Sequence, residues 1–235
     1  MVYSRGLDFL KNSSIIQSIM KKKLFIFDLD GTLMDAYQAI WETLLYTLAS
    51  LGYGPVDFET AKRAVGHGDK YYIPVFFKPE DVERARKIYR EYHLKSLNGK
   101  VHLLPGAKQL LEKLKNTNRF IAVASNRPSE SGLLIIKKLG IEHFFNYTIF
   151  GDQVTNQKPD PEMIIKVLQF FKVEKENAVF IGDMDIDVIT GKKAGIDTII
   201  VTTGSSTLDQ IIESNPSKIC NNLFEIVDML DKQLL

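Results

Sequence analysis

Two aspartates stand one residue apart in Leu24-Phe25-Ile26-Phe27-Asp28-Leu29-Asp30-Gly31-Thr32, directly after a short apolar run. In an extended chain residues i and i+2 point the same way, so both carboxylates face one side at a strand end. Like charges so placed resist joint ionisation, and stability alone gives no reason to keep them. A hard cation does. Excess carboxylate suits Mg²⁺, which takes oxygen ligands and retains waters for a phosphate. With a phosphate in reach, Asp28 can attack phosphorus as a nucleophile and form an acyl phosphate. Asp30, expected to stay protonated beside the anionic cluster, can donate to the leaving oxygen and later take a proton from water. Gly31 permits the sharp exit from the strand.

Ligands of open parallel sheets bind beyond the carboxyl ends of the strands, so the polar residues after each apolar run are the ones to compare. Ser125 and Asn126 follow Phe120–Ala124, and Gln157-Lys158-Pro159-Asp160-Pro161 lies beyond Tyr147–Phe150. Gly182-Asp183-Met184-Asp185-Ile186-Asp187 follows Ala178–Ile181. Thr32, Ser125 and Asn126 are candidates to bind the substrate phosphate, aided by backbone N–H groups at a helix start. Lys158 would offset charge on Asp28 and the phosphoryl group. Asp183, and less directly Asp187, would complete a cation site with Asp28 and Asp30. Asp185 points elsewhere by spacing and reads as a helix-surface acid. Asp35 with Gln38 reads as a capping pair.

These groups need strands to carry them. Apolar, β-rich runs recur at Leu24–Phe27, Phe120–Ala124, Tyr147–Phe150, Ala178–Ile181 and Thr198–Val201. Helical patterns at Ala107–Leu114, Leu133–Leu139, Glu162–Phe171 and Ile186–Ala194 fall between or beside them. Such alternation predicts a parallel sheet covered on both faces. Gly140 and Gly195 fall where helices would end. From Tyr37 to His102 the alternation breaks, and Ile40, Leu44, Leu45, Leu48, Val82, Ala85, Ile88 and Tyr89 keep a helical period. An all-helical insertion follows, with Trp41 in its core and Leu104-Pro105-Gly106 marking the return. Gly66-His67-Gly68, with Arg63 and Lys70 near it, reads either as a turn bringing His67 to the substrate or as a helix–helix turn. It lacks the strand and third glycine of a dinucleotide fingerprint. His93, His102 and His143 are isolated and read as structural or surface residues.

The 235 residues allow one large domain or a domain with a sizeable insertion. Hydrophobic residues make up 45% and charged ones 25%, an ordinary globular balance. Net charge is +1, from 30 basic and 29 acidic side chains, so no strong field favours nucleic acid or a membrane surface. Cys220 is the sole cysteine, which excludes an intramolecular disulfide and thiolate clusters and fits the cytoplasm. No apolar stretch approaches the roughly 18 residues of a transmembrane helix. The first residues are mixed and polar, with Lys21-Lys22-Lys23 behind them, unlike a secretory signal. Met20 reads as an alternative start.

Asp28-Leu29-Asp30-Gly31-Thr32, Ser125-Asn126, Lys158-Pro159 and Gly182-Asp183 with Asp187 together resemble, in order, the four motifs of the haloacid dehalogenase superfamily. Asp35, Leu104-Pro105-Gly106 and Lys158-Pro159-Asp160-Pro161 look most like its phosphoglycolate phosphatase-like branch, although Gly204-Ser205-Ser206 stands where such relatives often carry an aromatic. The resemblance implies an α/β fold, a Rossmann-like parallel-sheet core (residues 20–35 and 104–235) with an inserted helical cap (residues 36–103). It also implies the reaction, because dehalogenases of the superfamily lack the second aspartate that Asp30 supplies. The expectation is a cytoplasmic, Mg²⁺-dependent phosphatase of a small phosphorylated metabolite, with phosphoglycolate the leading substrate, acting as a monomer or weak homodimer. Rival readings are a pyrophosphatase or sugar-phosphate phosphatase on the same scaffold, a phosphomutase like β-phosphoglucomutase, and a non-catalytic phosphate-binding protein. Mutases of that kind present a cap arginine, and Val65–Lys70 offers none.

Overall fold

Residues 17–19 and 21–231 are described by the computed structural model, so Met20 lies outside the described residues. Six parallel strands form the central sheet in the order β5-β4-β1-β6-β7-β8. They are β1 (Leu24–Phe27), β4 (Phe120–Ser125), β5 (Tyr147–Phe150), β6 (Ala178–Gly182), β7 (Asp197–Val201) and β8 (Lys218–Cys220). In register, Phe27 lies beside Val123 on one side and Ile181 on the other, so β1, β4 and β6 end together. Asp28, Ser125 and Asp183 therefore leave the sheet at one edge.

Strand β1 is central and all four of its residues are buried. Alternate side chains feed the two faces. Phe25 and Phe27 pack with Ile121, Val123, Val179 and Ile181 beneath α5 (Ala107–Asn116), α6 (Ser129–Lys138) and α10 (Leu223–Asp231). Leu24 and Ile26 pack with Ala122, Ala124 and Phe180 against Met163, Ile164 and Val167 of α7 (Glu162–Phe171). Helix α8 (Asp185–Ala194) follows β6, and α9 (Leu208–Ser214) precedes the edge strand β8. Two findings extend the sequence reading. Ile19 is fully buried in the first of these clusters, so the packed core begins upstream of Met20. Strand β8 and the helices flanking it also belong to the core layers. Cys220 on β8 is buried, and burial above all pushes its thiol up to about 12, leaving it unreactive near neutrality.

Between β1 and α5 the chain makes α1 (Tyr37–Ser50), α2 (Phe58–Arg63), α3 (Asp69–Phe76) and α4 (Val82–Ser96). Their apolar faces meet each other: Ile40, Leu44 and Leu48 pack with Ala61, Ile73, Ala85 and Tyr89. Trp41 joins this cluster and donates from its indole to the Val56 carbonyl at 2.8 Å. The interval is helical except at its base. There β2 (Met34–Asp35) and β3 (His102–Leu103) pair antiparallel, Met34 beside Leu103 and Asp35 beside His102. Ala36, not Asp35, caps α1; Asp35 accepts from the Tyr37 N–H and Gln38 turns to Glu42, so the two form no capping pair. Among the described residues no helix is long and apolar enough to cross a membrane.

Candidate active site

The β1 and β6 ends bring Asp28, Asp183 and Asp187 together, each offering a carboxylate oxygen within 4.8 Å of the others. Lys158 reaches into this group from the loop after β5, with Nζ 3.0 Å from Asp28 Oδ2 and 2.7 Å from Asp187 Oδ1. The lysine is fully buried, which alone would favour its neutral form. Asp187 and Asp28 outweigh that and hold the ammonium above its ordinary range. Burial raises Asp183, reinforced by Asp187 and Asp28; burial also raises Asp187, against the pull of Lys158. One lysine does not balance three carboxylates.

The shortfall shows at named atoms. Asp28 Oδ1 and Asp183 Oδ2 are buried oxygens without a hydrogen-bond donor. Two orphaned carboxylate oxygens, beside a third acid, are a donor set for an oxygen-seeking divalent cation. The residues present fit one. Asp183 is aimed by the Thr32 hydroxyl, which donates to its Oδ1 at 2.7 Å. Asp187 Oδ2 accepts from the backbone N–H groups of Asp183 and Met184, both at 3.1 Å. Gly31 lies against the cluster at φ +77°, and a Cβ there would come within 2.5 Å of Asp183 Oδ2. That position admits only glycine on both counts. Asp185 is turned away and accepts from the Ser206 hydroxyl.

Asp30 is placed differently from expectation. Its two oxygens accept from Arg127, Nε to Oδ2 at 2.8 Å and Nη2 to Oδ1 at 2.6 Å. Its carboxylate is held by a buried guanidinium and stands outside the three-acid cluster. Behind Arg127 stands His93 of α4, with Nε2 2.7 Å from Arg127 Nη1 and Nδ1 3.1 Å from the Thr43 hydroxyl. Burial, then Arg127, hold His93 well below its ordinary range, so it is a neutral acceptor for the guanidinium. His93 is thus part of the site, whereas His102 and His143 are exposed as the sequence suggests.

Two other candidates turn out to position rather than to present. Thr32 is fully buried and its hydroxyl is committed to Asp183. The Asn126 amide donates to the carbonyls of Lys158 at 3.0 Å and Gly66 at 3.1 Å, and accepts from the Lys158 N–H at 2.9 Å. It ties the Lys158 backbone, which precedes a cis proline at Pro159, to the helical insertion. Ser125 lines the cavity above Asp28. That cavity, of about 170 Å³, lies between the sheet edge and the insertion, whose Tyr72, Tyr89 and His93 form its far wall. Gly66 and Gly68 line it too. His67 between them is exposed and is not among the lining residues, as are Arg63 and Lys70.

The haloacid dehalogenase-like hydrolase family profile matches residues 25–201, a span running from β1 through β7 and containing all of these acids. The chain belongs to that family. Phosphoglycolate phosphatase 1 of Pseudomonas aeruginosa is 27% identical to the hydrolase over 219 residues, covering 89% of this chain and 80% of that protein. A phosphorylated carbohydrates phosphatase of Thermotoga maritima is 28% identical over 214 residues, covering 86% and 98%. Among solved structures, a predicted phosphoglycolate phosphatase from Haemophilus somnus superposes with a TM-score of 0.83 at 22% identity, covering 89% of the hydrolase and 98% of that chain. That last likeness speaks to the fold.

Sequence reasoning missed Arg127 and His93 in the hydrolase. Arg127 directly follows the Ser125-Asn126 pair at a strand end, where its position alone marks it as a rim residue. Nothing local marks His93, which reaches the site only through the docking of α4 on the sheet edge.

Proposed function

We propose that this hydrolase is a Mg²⁺-dependent phosphatase of a small phosphomonoester, working through a phosphorylated Asp28. One observation carries the reading. Asp28 stands in a buried carboxylate cluster with an orphaned oxygen, 3.0 Å from Lys158, while a second aspartate two residues on is held separately by its own arginine. A pure binding site has no use for a nucleophile and a separately held acid–base group. The names of the relatives, phosphoglycolate and phosphorylated carbohydrates phosphatases, support a small phosphorylated substrate.

Asp28, Asp183 and Asp187 would hold Mg²⁺, which when bound supplies positive charge to the carboxylates and the phosphoryl oxygens. Asp28 attacks phosphorus through a carboxylate oxygen as the ester oxygen departs. Asp30 gives that oxygen its proton, so the leaving group departs as an alcohol. Lys158 offsets the charge that builds on the phosphoryl group. Water then attacks the acyl phosphate, passes its proton to Asp30 and frees phosphate, leaving Asp28 as a carboxylate and Asp30 protonated for the next ester. Residues 36–103 serve as the cap over a core of 20–35 and 104–235, closing water out of the cavity.

Phosphate release from a panel of phosphorylated metabolites tests the proposal. Activity should vanish in EDTA and return with Mg²⁺. Asp183→Asn should raise the Mg²⁺ requirement strongly, and Asp185→Asn should leave it near the parent value. Full activity in chelator would rule the mechanism out.

A further inference from the structure

The cavity above Asp28 is defined by how its charges pair. Two guanidiniums reach it, and each already faces a carboxylate: Arg127 holds Asp30, and Arg90 pairs with Asp69. Glu130 and Asp152 line the same cavity and add negative charge. Lys158 is shared between Asp28 and Asp187. Among the described lining residues, no cation is left for a second anionic group on the substrate. A carboxylate or second phosphate enclosed there would lack a counter-charge and face two further acids, a penalty that selects against it.

A neutral donor, by contrast, waits in that space. The phenol oxygen of Tyr72 is buried without a hydrogen-bond partner, and the residue lines the cavity. Tyr72 is only 4% exposed, so bulk water does not serve it. A buried hydroxyl left unpaired is costly, and a ligand hydroxyl relieves it. Beside Tyr72, Tyr89 stacks on His93 with ring centroids 5.4 Å apart and supplies an apolar flank.

We infer that the cavity prefers the phosphomonoester of a neutral, hydroxyl-bearing leaving group, a small polyol or sugar, over one whose leaving group carries a carboxylate or second phosphate. Tyr72 reads one of its hydroxyls. This rests on the phosphatase reading above and narrows it, and it parts from the substrate for which the Pseudomonas aeruginosa relative is named.

Three esters separate the two levels: p-nitrophenyl phosphate, glycerol 1-phosphate and phosphoglycolate, compared by kcat/KM in saturating Mg²⁺. Glycerol 1-phosphate should exceed phosphoglycolate by about tenfold or more. Phosphoglycolate equal to or better than glycerol 1-phosphate overturns the inference, and hydrolysis of p-nitrophenyl phosphate then keeps the phosphatase reading standing. Failure with all three esters overturns both. Tyr72→Phe should cost glycerol 1-phosphate about tenfold while sparing p-nitrophenyl phosphate; an equal loss on both removes Tyr72 from recognition. Asp69→Asn, which leaves the Arg90 guanidinium unpaired, should raise the phosphoglycolate-to-glycerol 1-phosphate ratio, and an unchanged ratio counts against the charge argument.

Discussion

Asp28 and Asp30 are two residues apart yet have different neighbours, and that difference separates their variants. Asp28 touches Lys158 and the metal-type cluster, whereas Asp30 accepts from Arg127's fork. Asp28→Asn should abolish hydrolysis of every ester. Asp30→Asn should spare the first step with p-nitrophenyl phosphate, whose leaving group needs no proton, and slow it with an alkyl ester by about 10²–10⁴-fold. The second step needs Asp30 with either ester, so a burst of p-nitrophenol and a phosphate trapped on Asp28 are expected by rapid mixing and mass spectrometry. Parent-rate turnover without burst or adduct would remove Asp30 from the mechanism. Arg127→Ala should give a milder form of the same burst, and Arg127→Lys should recover part of the loss. Identical losses of both steps would instead mark Arg127 as purely structural. Asp28 and Asp183 were legible because each stands at the end of an apolar run, and Asp187 follows one turn later. Arg127's partnership with Asp30 was not, because it joins residues 97 apart through side-chain direction.

At the scale of elements, β1, β5 and α7 have the bounds that periodicity and apolar runs give, since each is a short, continuous pattern with polar ends. Helix α6 begins earlier than its apolar pattern, because Ser129, Glu130 and Ser131 open it with a polar first turn. The Gly66-His67-Gly68 turn was ambiguous in sequence, and the structure explains why. Its work is done by backbone: Gly66 O accepts from Asn126, and the Val65 carbonyl accepts from Ser205 at 3.3 Å. Gly66 has φ +123°, and a Cβ on it would fall 2.2 Å from Met184 Sδ. Gly66→Ala therefore meets backbone strain and a displaced methionine. Strain of this kind costs ~1–2 kcal/mol, and if the turn must dock for catalysis, kcat/KM should fall about tenfold. Adding Met184→Ala removes the collision alone, so the double variant should recover only part of the loss. Steady-state kinetics on one ester decide it, and unchanged kcat/KM in Gly66→Ala would free the turn from any role in closure.

For the whole molecule, His93 gives stability a pH dependence. It is held below its ordinary range by burial and by Arg127, so the unfolded chain binds its proton more readily than the fold does. Its contribution is complete above an ordinary histidine value of about 6.5 and is lost as pH falls below it. The slope is at most about 1.4 kcal/mol per pH unit for one proton. Thermal melts in excess Mg²⁺, from pH 8 down to pH 5, should show Tm falling, and His93→Gln should flatten the curve. A parallel decline in the variant would assign the effect to other groups. The two-residue ladder of Met34–Asp35 with His102–Leu103 has a different reach. It brings the exit and the return of the helical insertion to neighbouring strand positions, roughly 5 Å apart. A two-residue turn such as Asn-Gly could bridge the gap and leave the sheet's connectivity intact. Such a shortened chain would keep the carboxylates and Lys158 but lose His93 and the phenols, exchanging discrimination among small metabolites for an open face that bulky phosphorylated surfaces could approach.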